Sequence, residues 1–198
     1  VKNRRFRIGV SLLVLAIGSI GLVLVYGPPA TSSVQTTCEP PQCLQLPTIT
    51  GANLAGQTRT FPAAFTQPYQ LVVMPFNREQ QSRVLDFVPL LQEVSANRAD
   101  LGYYSLAALP NLSAPIRLLV SGGMNMAVTD PTVREAAYIF YVEDQAAVLQ
   151  ALNLPDAKTI RIYLLDQTGH VLWQASGDFT PELANAIRKA IAALPVKA

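Results

Sequence analysis

The chain has 198 residues, half of them apolar, with 15 Lys and Arg against 13 Asp and Glu and a single His. That is enough for one domain with a sizeable core plus an attached segment, and it argues against two domains. Lys2, Arg4, Arg5 and Arg7 fall in the first seven residues. The remainder is weakly acidic and carries no basic stripe with interleaved aromatics, which excludes nucleic acid as a partner.

After the basic flank, residues 8–26 are uncharged and almost entirely Leu, Val, Ile, Ala and Gly. Nineteen helical residues span roughly 28 Å, close to a bilayer core of about 30 Å, so residues 1–26 predict a cytoplasmic flank and one transmembrane helix. A cleaved signal peptide ending near Ala30 is the competing reading. The run exceeds a signal-peptide core of about 7–15 residues, which favours a retained anchor. With cations only on the N-terminal side, the positive-inside rule puts the N-terminus in the cytoplasm and the C-terminal domain outside it, in a single-pass cell-membrane protein with the lipid bilayer as one partner. Gly18 and Gly21 are candidates for close helix packing within the membrane.

Residues 27–45 are rich in Pro, Ser and Thr, lack periodicity and read as a tether. They contain both cysteines, Cys38 and Cys43, as C-E-P-P-Q-C. A disulfide in an oxidising compartment is the plainer reading; a redox pair or a copper-thiolate site is the functional one.

Residues 46–198 form the predicted domain. LPTITGANLAGQTRTF is extended, with turns at Gly51 and Gly56, and Leu71 to Met74 suit a strand buried on both faces. Val84, Val88, Leu91 and Val94 predict a helix over 78–97, interrupted near Leu85 by Pro89. Residues 101–106 read as a strand. Residues 112–129 fit helix or strand, since Gly122-Gly123 weakens both. Residues 138–142, YIFYV, predict a second buried strand, and Asp144 a cap for a helix carrying Ala147, Val148, Ala151 and Leu152. At the end, 160–165 and 171–175 form a hairpin around Asp166-Gln-Thr-Gly169. Thr180 caps a helix with Pro181 in its first turn and a stripe of Leu183, Ile187, Ala190, Ile191 and Leu194. Strands joined by helices should be parallel and the final hairpin antiparallel, giving an α/β mixed sheet flanked by helices.

The span from Leu46 to Leu194 resembles thioredoxin-like proteins of the peroxiredoxin and membrane-tethered type, with LPTITGANLAG as entry, LVVMPF as the early buried strand and YLLDQTGHVLWQASG as the terminal hairpin. Tyr163, Leu164, Asp166, Trp173, Gly177, Thr180, Pro181 and Glu182 also look like the ending of the assembly factor of the mitochondrial ATP synthase membrane sector. The resemblance implies a redox cysteine at the loop-to-helix junction, where unsatisfied helix N–H groups lower a thiol pKa. Residues 77–81 supply none. It also implies a cis-proline near Thr159 or Ile160, and Pro155 is too early to serve.

Arg78, Glu79 and Arg83 lie where that active site belongs, as partner-binding candidates or simply a solvated face. Trp173 is a candidate anchor, though packing against the terminal helix is the plainer reading. Met124, Met126 and His170 could in principle serve Cu(I), but ordinary placement suits each better. Asn111-Leu-Ser matches a glycosylation sequon without an assigned role. A single turn histidine supports no catalytic triad, and no cofactor or metal is implied.

Two functions follow as expectations. The first is a non-catalytic assembly factor or accessory subunit of a membrane complex, such as ATP synthase or an electron-transfer complex, held by the anchor, the exported domain or both. The second is an extracytoplasmic thiol-disulfide oxidoreductase or copper donor using Cys38 and Cys43.

Overall fold

The computed structural model describes residues 44–143 and 145–197. Seven strands form one sheet in the order β2-β1-β5-β4-β3-β6-β7. Their ranges are β1 Ile49–Asn53, β2 Thr58–Phe61, β3 Tyr69–Met74, β4 Leu101–Pro110, β5 Ala137–Val142, β6 Arg161–Asp166 and β7 Val171–Ser176. As the connections require, β3, β4 and β5 run parallel, while β6 and β7 are antiparallel neighbours. β6 also pairs antiparallel with β3, Met74 opposite Arg161 and Tyr69 opposite Asp166. The sheet thus has two poles. The β3-to-helix junction lies at one, and the Asp166–His170 turn at the other, separated by about 17 Å along β3.

All six residues of β3 are buried, as the apolar run from Leu71 to Met74 demands of a strand covered on both faces. One face packs on α1 (Arg78–Val84), α2 (Val88–Ala96) and α6 (Pro181–Ala192), with Leu71, Val73, Phe87, Leu91, Trp173 and Ile187 in one cluster. A single 3-10 turn, Leu85–Phe87, divides α1 from α2, and Pro89 sits in the first turn of α2. The predicted break near Leu85 is therefore a restart that spares the helix a proline in its interior. On the other face, Phe61 anchors an aromatic cluster, 4.8 Å from the Tyr138 ring and 5.2 Å from those of Phe65 and Tyr104. α5 (Gln145–Ala151) covers it with Val148 and, beyond its end, Leu152. The Asp144 cap lies outside the described residues.

The ambiguous stretch folds as α3 (Ala114–Ala127), and α4 (Pro131–Ala136) follows, capped by Asp130. The strand predicted over 101–106 runs on to Pro110, because Leu106 to Leu109 are also buried. Among the described residues no helix is long and apolar enough to cross a membrane. The 8–26 run, with Gly18 and Gly21, lies outside them.

Candidate functional site

At the first pole, β3 leaves the sheet at Met74 and the chain turns into α1 through Pro75, Phe76 and Asn77. Asn77 is the N-cap: its side chain accepts from Gln80 N at 3.0 Å, and its Nδ2 donates to Ala157 O at 3.2 Å. Gln80, fully buried, accepts from Phe76 N at 2.7 Å and donates to Ala157 O at 2.8 Å. From α5, Gln145 Nε2 donates to both Phe76 O and Ala108 O, at 2.7 and 2.8 Å. Three amides therefore satisfy backbone groups of Phe76, Ala108 and Ala157. They hold geometry and move neither protons nor electrons. Gln80 and Gln145 were not singled out in the sequence; the signal was two glutamines at the start of a helix after a buried strand, where burial forces an amide to find backbone partners.

The surrounding candidates separate. Arg78 and Glu79 are exposed and have no ion-pair partner among the described residues. Arg83 instead makes a bidentate pair with Asp178, both bonds 2.8 Å, which ties α1 to the segment entering α6. Trp173 is only 4% exposed, inside the cluster under α6, so its partner-anchor reading is corrected: alternation along β7 turns it inward. Met124 packs against the α3–α4 cluster and Met126 is exposed; neither joins a set of metal ligands among the described residues. Asn111 accepts from the Arg117 guanidinium.

The opposite pole is built on Asp166. Its carboxylate accepts from Thr168 N and Oγ1 and from His170 N at 2.9, 2.7 and 2.9 Å, and its second oxygen meets His170 Nδ1 at 3.2 Å. Burial works against ionisation there, but the hydrogen bonds from Thr168 and His170 together outweigh it and hold the carboxyl below its ordinary value. With Nδ1 engaged in the turn, Nε2 of His170 has no partner among the described residues. Gly169, at φ 87°, sits against Pro62 and Leu46, where a β-carbon would be 2.8 Å from the proline ring. The incoming chain is fastened to this turn: Val171 N donates to Leu44 O and Leu46 N to Gly169 O, both at 2.8 Å, while Gln45 bridges His170. Cys38 and Cys43 lie outside the described residues.

No family model matches the chain, and no curated protein matches it. Solved structures do. A Bacteroides vulgatus thiol-disulfide oxidoreductase has a thioredoxin domain similar to it at 17% identity, over 80% of this chain and 99% of that one, with a TM-score of 0.50. BsSco, a member of the Sco family of cytochrome c oxidase assembly proteins in which a disulfide switch was identified, is similar at 14% identity over 79% and 99%, also with a TM-score of 0.50. At these identities the likeness establishes the fold, which is thioredoxin-like. The narrower resemblance to the ATP synthase assembly factor finds no support in them. The expectation of a non-enzyme is corrected as well, because a solved thiol-disulfide oxidoreductase is among the chains that share this fold. That expectation rested on the missing cysteine at the start of α1 and the missing cis-proline near Thr159 or Ile160, and neither says anything about thiols elsewhere in the chain.

Proposed function

We propose that the chain is an extracytoplasmic thiol-disulfide oxidoreductase whose redox pair is Cys38 and Cys43. The observation that carries this reading is the fastening of Leu44 and Gln45, the residues that directly follow Cys43 in sequence, to the Asp166–His170 turn, whose imidazole is oriented by a carboxylate. An imidazole beside a cysteine favours the thiolate, which makes it a better leaving group. In the oxidised protein, a thiolate of a partner dithiol attacks Cys38 sulfur; the Cys38–Cys43 bond breaks and Cys43 departs as the thiolate, which His170 is proposed to favour. The partner's second thiolate then attacks the partner sulfur of the mixed disulfide and releases Cys38. Two electrons pass from the partner to the pair, and the partner leaves as a disulfide. Residues 8–26 hold the domain at the outer face of the cell membrane, which suits a client that is a cysteine-bearing membrane protein.

The test uses the full chain beside the free peptide CEPPQC. Disulfide exchange with reduced glutathione, followed by alkylation gel shift, should be several-fold faster in the protein. Cys43→Ser, left with the Cys38 thiol alone, should hold a mixed disulfide on Cys38 when given oxidised glutathione, and His170→Ala should slow exchange while leaving the melting temperature near that of the parent. Equal rates for protein and peptide would sink the reading. Copper delivery is the variant that a Cu(I) competition assay would favour if Cys38→Ser abolished tight binding.

A further inference from the structure

α1 and α3 face each other with stripes that a close helix pair would bury: Arg78, Gln81, Ser82 and Leu85 on one, Leu119, Val120, Gly123 and Ala127 on the other. They do not close. A groove of about 220 Å³ lies between them, Leu119 is 64% and Leu85 36% exposed, and a β-carbon built on Gly123 meets nothing within 4 Å. Beneath the groove, a nearly apolar internal cavity of about 30 Å³ reaches Val84, Leu91, Tyr103 and Val133, sharing Gln81, Leu85, Met124 and Val128 with it.

Three polar residues break this apolar lining, and of these Ser82 already donates to Glu79 O. Gln81 is 9% exposed, and its Nε2 has no hydrogen-bond partner among the described residues. A buried donor left unmade is costly, so its orphaning beside a cavity marks a place for an acceptor. One helical turn earlier, on the same face of α1, Arg78 has no acidic partner among the described residues. A guanidinium and an amide donor one turn apart match the two oxygens of a carboxylate. The stripe from Leu119 to Val128 runs about 14 Å along α3, room for a medium-length aliphatic chain.

We propose that this crevice binds a fatty carboxylate, its head held by Arg78 and Gln81 and its tail laid over Leu85, Leu119, Met124 and Val128. The site is independent of Cys38 and Cys43. Burying the tail removes apolar surface of both helices from water, and the carboxylate supplies the acceptor that Gln81 lacks.

The experiment is a titration of the full chain, kept soluble by an amphipathic polymer in place of detergent, with carboxyl-¹³C decanoate, read as a shifted bound carboxyl resonance. Saturable binding is expected for the parent and weaker binding, by about tenfold or more, for Arg78→Gln and for the parent with decanol ¹³C-labelled at C1 and read at that carbon. Gly123→Leu, which fills open space without a clash, should remove the bound signal while leaving the melting temperature unchanged or higher. Binding that survives Gly123→Leu at full strength would overturn the site. So would a parent that takes up no decanoate, Gln81 then being served by one ordered water in the small cavity.

Discussion

α6 and α3 are helices of similar length on the same face of the sheet, yet they hold to it in opposite ways. α6 buries Leu183, Ala184, Ile187 and Ile191 and is capped by Thr180, whose oxygen accepts from Leu183 N at 3.1 Å. α3 buries only Val120, leaves Leu118 76% and Met126 79% exposed, and begins at Ser113 without a side-chain cap bond. The difference is one of pattern. Apolar residues of α6 recur at helical spacing and specify one side, whereas Ile116, Leu118 and Leu119 point around the axis and Gly122-Gly123 weakens the middle. A helix with one apolar stripe belongs to the core; one with scattered apolar residues leaves surface for something else.

The largest break in this comparison should come from charge. Ile187→Asp puts an unpaired carboxylate into the cluster under α6 and should cost about 3–5 kcal/mol in denaturant unfolding, while Leu118→Asp on α3 should stay within about 0.5 kcal/mol. Comparable losses at both positions would mean that α3 is as tightly held as α6.

The far end of α6 gives a pH test. Arg98 donates to Ile191 O and Leu194 O while its guanidinium grips Asp100, the shortest contact 2.6 Å. The bond to Arg98 outweighs burial and lowers the Asp100 carboxyl to about 2. Because this folded value lies below the unfolded one, the stabilisation is complete above pH 4 and disappears as pH falls through about 2; its size is on the order of 2 kcal/mol. Asp100→Asn should flatten that acid limb and loosen the end of α6, seen as faster amide exchange there. An unchanged limb would assign acid unfolding to other carboxyls.

Caps sharpen the contrast further. Thr180→Ala should cost about 1 kcal/mol, and Ser113→Ala a few tenths, since only the first removes a bond to a helix N–H. Equal costs would show that Ser113 caps α3 in solution.

The same contrast explains what the sequence revealed. The hairpin, α6, the buried β3 and the restart at Pro89 were readable because each rests on a local rule: turn chemistry, a stripe, a run, a missing N–H. α3 and the amide cluster of Gln80 and Gln145 were not. Their partners, Phe76, Ala108 and Ala157, are brought together only by the crossovers, and no periodicity encodes that meeting. Trp173 was read both ways because an aromatic on a strand looks alike from either face until the register is known.

The smallest effect carries the opposite sign. Gly122 lies inside α3, has no positive φ to require glycine, and an added β-carbon would meet nothing within 4 Å. Gly122→Ala therefore removes backbone freedom from the unfolded chain and gains helix propensity without a clash, which should stabilise α3 by roughly 0.5–1 kcal/mol. Amide exchange within 114–127 is the sensitive readout, because a loosely attached helix opens locally before the domain unfolds. Slower exchange there, with α6 unchanged, would show that α3 is held by its own backbone more than by the core. If exchange quickens, this glycine must serve a close approach in solution, and the open face of α3 would then have a partner that needs the space.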